Sequence, residues 1–208
     1  MKLTTIFAAL LTFVSISCTS CDGKSTSSSG SSVALGRRVF GVFRVINDTT
    51  VEMNGVINGN TPAQFNTLMF SFPNIKTINM RDCPGSEDDE ANLLVSRAMH
   101  QKGISFHLFS DSVIASGAVD MYLAGIRRTR DPGSRIGVHS WGNQPGEPIA
   151  TALPRNHPLH QTYITYYVEM GFSQQESEDF YFFTINAATA ENVHWMTEAE
   201  ITNYKMTT

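Results

Sequence analysis

From residue 39 to residue 139, short β-rich apolar runs alternate with longer segments whose apolar residues recur at helical spacing. This alternation limits the fold more than any other feature. Strands separated by helices cannot close into tight hairpins, so they pair in parallel, with the helices packed on the faces of the sheet. The predicted strands cover residues 39–46, 51–57, 75–80, 104–109 and 135–139. Thr61-Pro62 opens a helix carrying Phe65, Leu68, Met69 and Phe72, and Pro73 ends it. Ser86 is the expected N-cap of a second helix, which shows Ala91, Leu94, Val95, Ala98 and Met99 on one face and stops at Gly103. Residues 115–124 form a buried helix stopped by Gly125. Aromatic-rich helices are expected at 157–170 and 174–187, with a short one at 198–204. No solenoid period appears. The expected class is α/β with a largely parallel sheet and C-terminal helices.

The N-terminus has a different character. Lys2 is followed by an apolar run over residues 6–14, then small residues and Cys18. That is the order of a secretory signal, and it is too short to span a bilayer as a permanent helix. Ile16-Ser17-Cys18 resembles a bacterial lipobox, with Ser15 where leucine is preferred; Cys21 competes for lipidation. Residues 1–17 are therefore expected to be a signal peptide and 18–35 a Ser-rich linker, leaving 36–208 as the folded domain. The expected location is periplasmic, across the bacterial inner membrane, with the membrane reached through a lipid on Cys18.

Composition narrows the chemistry. The chain has 208 residues, 41% hydrophobic and 16% charged, with net charge −4. An acidic balance excludes a duplex nucleic-acid footprint. Three cysteines do not make a disulfide scaffold. Lysine occurs only at 2, 24, 76, 102 and 205, so few lysines can act as a base.

Three stretches can carry chemistry. Arg81-Asp82-Cys83-Pro84-Gly85-Ser86 leads into a helix N-terminus, whose free N–H groups suit a developing negative charge. Ile114-Ala115-Ser116-Gly117-Ala118 puts a serine at the start of a buried helix, next to a glycine that permits close backbone approach. Gly137-Val138-His139-Ser140 places a histidine at a strand end. An oxyanion site, a nucleophile and a base are the parts that acyl transfer needs. Each has a plainer reading: Ser116 as an N-cap, His139 as a structural histidine.

The order of these stretches, with Leu123-Ala124-Gly125 and Arg127-Arg128 between the last two, resembles the Clp protease proteolytic subunit superfamily. Within it, the likeness is to a secreted, ClpP-like bacterial group without an unfoldase partner. It covers about residues 51–140, with a weaker echo at the C-terminus. The resemblance implies a ClpP/crotonase-like spiral of β-β-α units, acting as a serine peptidase on peptide or protein substrates without a cofactor or metal, and able to form a homo-oligomer. It makes Ser116 the nucleophile and His139 the general base. The N–H of Gly117 and that of Gly85 or Ser86 would form the oxyanion hole. Ser86 replaces the second glycine of the family's Pro-Gly-Gly, and serine is less comfortable than glycine at positive φ.

The family's aspartate falls on Val193, if Trp195-Met196-Thr197 matches the segment that follows it. Asn192 is then the expected third member, with Glu191 as the other option. Three further readings are a catalytically inactive envelope-binding protein, a serine–lysine peptidase using Lys76 or Lys102, and an acyl-CoA enzyme. The acyl-CoA reading is disfavoured by the secretion signal.

Glu87-Asp88-Asp89-Glu90 reads as acids stabilising a helix N-terminus, in preference to a metal site. His157 and His160 lack a third metal ligand. Arg127, Arg128 and Arg130 suit a helix C-terminus.

Overall fold

The computed structural model describes residues 38–142 and 148–208. The segments expected to be a signal peptide (1–17) and a Ser-rich linker (18–35), with Cys18 and Cys21, lie outside them.

Among the described residues, eight strands form one sheet. β1 (Val39–Phe40) and β2 (Phe43–Asn47) pair antiparallel, as do β2 and β3 (Thr50–Met53). The predicted single strand over 39–46 is thus two, broken at Gly41, whose φ of 60° makes the turn. The centre is parallel: β3 pairs β4 (Thr77–Cys83), β4 pairs β5 (Ser105–Ala115), and β5 pairs both β6 (Arg128–Arg130) and β7 (Arg135–Val138). β5 is nearly twice the predicted length. It bends where Ser112 Oγ accepts from the Phe109 N–H at 2.9 Å and donates to the Met80 carbonyl at 2.6 Å. Its two halves therefore have different partners, β6 first and β7 second. β8 (His194–Trp195), which no sequence pattern marks, pairs antiparallel with β7.

The helices follow the predicted order: α1 (Thr61–Ser71), α2 (Asp89–Gln101), α3 (Gly117–Leu123), α4 (Pro158–Glu169), α5 (Gln174–Ala187) and α6 (Glu198–Asn203). The N-cap of α2 is Asp88, not Ser86: Asp88 Oδ1 accepts from the Ala91 N–H at 2.9 Å. A carboxylate is the better cap because it also carries charge at the positive helix end. Ser86 is left to hydrogen-bond Asp89.

The core runs along one face of the central strands. Val51, Met53, Ile78, Met80, Phe106, Leu108, Ile114 and Ile136 are fully or almost fully buried, and so are Leu68, Val95, Met99, Met121 and Tyr122 on the covering helices. At roughly 25 cal/mol per Å² of apolar surface, this burial is the main force holding α3 against the sheet. Arg128 locks the far end of α3. Its guanidinium, 6% exposed as a residue, donates to the carbonyls of Gly125 at 3.0 Å, Met206 at 3.1 Å and Lys205 at 3.0 Å. One side chain thus satisfies the end of the α3 segment and ties the C-terminus to it. Among the described residues, no helix is long and apolar enough to cross a membrane.

Candidate active site

β5 ends at Ala115 and α3 begins at Gly117, so Ser116 makes the whole connection. To turn a strand directly into a helix it adopts φ 53° and ψ −135°, a conformation L-residues avoid. Such a residue costs about 1–3 kcal/mol and persists only where its surroundings over-determine it. The surroundings do so here. The Ser116 N–H donates to the Gly137 carbonyl on β7 at 3.0 Å, and its own carbonyl accepts from Val119 at 2.8 Å. Its side chain does not cap α3, so the plain N-cap reading fails. A sharp strand-to-helix turn that leaves a serine hydroxyl uncommitted is the geometry of a nucleophile elbow.

Two glycines make the approach possible. Gly85 has φ 139°, and a Cβ there would lie 2.8 Å from Ser116 Cβ. The positive φ of the Pro-Gly-Ser segment falls on Gly85 and not on Ser86, so serine is tolerated at the family's second glycine. Gly117 packs on Ser86 and Asn92; a Cβ there would meet Asn92 Nδ2 at 2.8 Å. Asn92 Nδ2 donates to the Gly117 carbonyl at 2.8 Å, which pins the first turn of α3 to α2.

Ile57, Ser86 and Ser116 follow the ends of β3, β4 and β5, which are neighbours in the sheet. Ile57 donates to the Gly85 carbonyl at 2.9 Å and accepts from the Glu87 N–H at 2.8 Å. Strand alternation then turns the Ser86 N–H away from Ile57, toward the Ser116 side. The Gly117 N–H is the first of α3 and has no acceptor within the helix.

His139 follows the last residue of β7. Ser116, Gly117, His139, Ser140 and Asp120 line one cavity that is partly open to solvent. His139 Nδ1 is 2.7 Å from the Ser140 carbonyl oxygen. A carbonyl only accepts, so Nδ1 carries the proton, and the neutral ring presents Nε2 as its basic atom. Among the described residues, no hydrogen bond yet joins Ser116 to His139. In unliganded sites that contact is often long.

The expected third member is elsewhere. Asn192 Nδ2 donates to Thr189 Oγ1 at 2.9 Å on an exposed turn, and the acceptor at His139 Nδ1 is a backbone carbonyl. The reason is register. β7 and β8 pair Gly137 with Trp195 and Val138 with His194, so one step further Val193 stands opposite His139. Alternation places Asn192 and His194 on the other face. His194 there faces Glu200, with Nε2 3.0 Å from Oε2. The sequence match to Val193 agrees with the register, but that side chain is apolar.

The serine–lysine reading fails on position. Lys76 and Lys102 lie at the opposite end of the parallel strands, where Lys76 Nζ donates to the Lys102 carbonyl at 3.2 Å. Cys83 is buried, and burial pushes its thiol up to about 12, so it stays a neutral thiol. His157 caps α4, accepting from the Leu159 N–H at 3.3 Å, and His160 is fully buried against Tyr181.

Sequence reasoning missed Asp120, one helical turn after Ser116, because it reads as an ordinary helix residue. Tyr167 donates to its Oδ1 at 2.6 Å. Loss of solvent raises its carboxyl to about 7, against the effect of the Tyr167 hydroxyl and with the nearby charge of Asp89. The sequence also gives no signal for Asp89 as a cavity residue, held by Tyr163, which donates to Oδ2 at 2.7 Å.

No family model matches the sequence, and no curated protein is significantly similar to it. Solved structures are similar in fold. A mutant of the membrane-bound stomatin-specific protease 1510-N, in complex with a substrate peptide, superposes with TM-score 0.50 at 19% identity, covering 76% of this chain and 72% of that one. ClpP1 from Listeria monocytogenes superposes with TM-score 0.50 at 17% identity, covering 77% of this chain and 89% of that one. The chain has the ClpP-like fold. At these identities the likeness is one of fold, and the reading of the site rests on the geometry given above.

Proposed function

We propose that this protein is a secreted serine hydrolase, a peptidase, with Ser116 as nucleophile and His139 as general base. The observation that carries the reading is the conformation of Ser116. A non-glycine residue held at φ 53° between β5 and α3, with its hydroxyl in the same cavity as a histidine, is costly as structure and useful as chemistry.

In this reading His139 Nε2 takes the Ser116 hydroxyl proton as Oγ attacks the substrate carbonyl carbon. The resulting oxyanion accepts from the backbone N–H groups of Gly117 and Ser86, or of Gly85. The Ser140 carbonyl holds the Nδ1–H tautomer, the orienting role an acidic third member plays elsewhere. The protonated histidine then returns its proton to the leaving group, and water completes the cycle by the same route. The secretion signal over 1–17, a lipid on Cys18 or Cys21, the periplasmic location and association with further copies of the chain belong to the same proposal, on the sequence features given above.

The test compares the wild type with Ser116→Ala, using acyl-amino-acid esters and a fluorophosphonate probe. Wild-type hydrolysis at least about 100-fold above the variant, with labelling lost in the variant, is the expected result. Equal rates overturn it.

A second reading is a catalytically inactive envelope-binding protein. It is favoured by the neutral carbonyl at His139 Nδ1 and by Val193, since a carbonyl stabilises an imidazolium less than a carboxylate does. Ligand binding without labelling would select it.

A further inference from the structure

The wall of the Ser116 cavity has a consistent chemical character. Two carboxylates, Asp89 and Asp120, line it, and among the described residues no lysine or arginine does. Trp141, Tyr163, Tyr167 and Tyr181 supply its aromatic surface. Tyr163 lies between two of these rings, stacked on Trp141 at 6.4 Å and 21° and on Tyr181 at 5.7 Å and 18°.

The carboxylates are held rather than neutralised. Each accepts one tyrosine hydroxyl, and Asp89 also accepts from Ser86. Among the described residues Asp120 has no cationic partner, and Oδ2 makes no hydrogen bond. Arg97, on α2, is committed to Glu169 and to the Tyr166 ring.

Asp120 stands four residues after Ser116, on the same side of the α3 start and about one helical pitch (~5.4 Å) along. That span suits the four-carbon stem of a lysine whose backbone carbonyl sits at Ser116. Aromatic faces attract a cation, and more strongly where water is excluded.

We propose that this cavity binds the side chain of a basic residue, an ammonium or guanidinium group. With the serine-hydrolase reading on which it rests, this makes the enzyme cleave after lysine or arginine. Asp120 and Asp89 then determine specificity, and the aromatic rings form the walls. The raised carboxyl of Asp120 is consistent with a site built to receive a positive charge, because a bound cation returns that group to its ionised form.

The test pairs two probes of matched shape, the methyl esters of N-acetyl-lysine and N-acetyl-norleucine. Hydrolysis is followed with the wild type, and binding of both probes to the Ser116→Ala protein is followed by calorimetry. The expected result is at least a tenfold preference for lysine in both assays, falling at least tenfold in Asp120→Asn. Hydrolysis with norleucine equal or preferred overturns the specificity and leaves the hydrolase standing. Lysine-selective binding without hydrolysis retains the cavity assignment and removes the hydrolase reading. Equal binding of the two probes overturns the inference whether or not Asp120→Asn folds.

Discussion

Gly85 is pressed against Ser116: a side chain at residue 85 would place its Cβ 2.8 Å from Ser116 Cβ and 3.3 Å from Oγ. The residue that frames the proposed oxyanion site and the proposed nucleophile are thus in contact, and each limits the conformation of the other. Gly85→Ala has to adopt φ near 139° and push Ser116 away. We expect a loss of about 1–3 kcal/mol in stability and more than about tenfold in fluorophosphonate labelling rate. Thermal denaturation and labelling kinetics on one sample check both.

Gly117→Ala reverses a general rule. Alanine in place of a helical glycine normally stabilises by about 1 kcal/mol. Here the new methyl meets Ser86 and Asn92, and the buried Asn92–Gly117 hydrogen bond has to give way. A destabilisation of about 1–3 kcal/mol by urea denaturation is expected. An increase in stability would mean that α3 is not anchored to α2 in this way.

Val193→Asp puts a carboxylate one step beyond the last β7–β8 pair, on the face that carries His139. The carboxylate would replace the Ser140 carbonyl at Nδ1 and favour the imidazolium formed during proton transfer. Ester hydrolysis should rise at least about tenfold. Unchanged kinetics would show that His139 does not turn toward that strand.

Asp120 makes stability depend on pH. Its folded carboxyl titrates near 7, against an ordinary value of 3.8, because burial disfavours the charge. Below the lower value it is protonated in both states. As pH rises from the lower value to the upper, the unfolded chain loses its proton first, so the folded state loses stability, by at most about 4 kcal/mol. Asp120→Asn should remove this slope, so denaturation midpoints of the two proteins should converge at low pH, separate in favour of the variant as pH rises from about 4 to about 7, and keep that separation above it.

Tyr181 links three elements. Its hydroxyl accepts from Trp141 Nε1 at 2.8 Å and faces His160 Nδ1 at 2.7 Å, with His160 fully buried. Tyr181→Phe leaves both nitrogens without this partner. A cost of about 1–3 kcal/mol is expected, together with increased solvent quenching of Trp141 fluorescence.

The order of strands and helices was legible because each element announces itself locally: β-branched runs, helical stripes, and Pro or Gly at the breaks. α5 matches its predicted limits of 174 and 187. The boundary errors arose where a long-range contact decides the ending. β5 runs on to Ala115 because β7 pairs with its second half, and β8 exists only because β7 offers it an edge.

The site divides in the same way. Ser116 and His139 stood out as candidates by residue type and position, and the resemblance to the Clp protease superfamily in the order of their motifs gave them, with Gly85 and Gly117, their expected roles. The conformation of Ser116 and the placement of positive φ on Gly85 belong to the close packing of the β4 and β5 ends. Asn192 was drawn from its neighbourhood in sequence, but strand alternation in β8 turns it to the wrong face and leaves the Ser140 carbonyl at His139 Nδ1. Asp89 and Asp120 could not be recognised as cavity residues, since they come from separate helices and meet only when α2 and α3 pack together.

By itself, then, the sequence determined the element types, the acidic and lysine-poor character, and the candidate nucleophile and base, because propensity and composition are local properties. Tertiary structure alone decided the His139 tautomer, the strain at Ser116 and the acidic aromatic cavity beside it. Each of those depends on which atoms distant in the chain are brought within hydrogen-bonding or van der Waals distance.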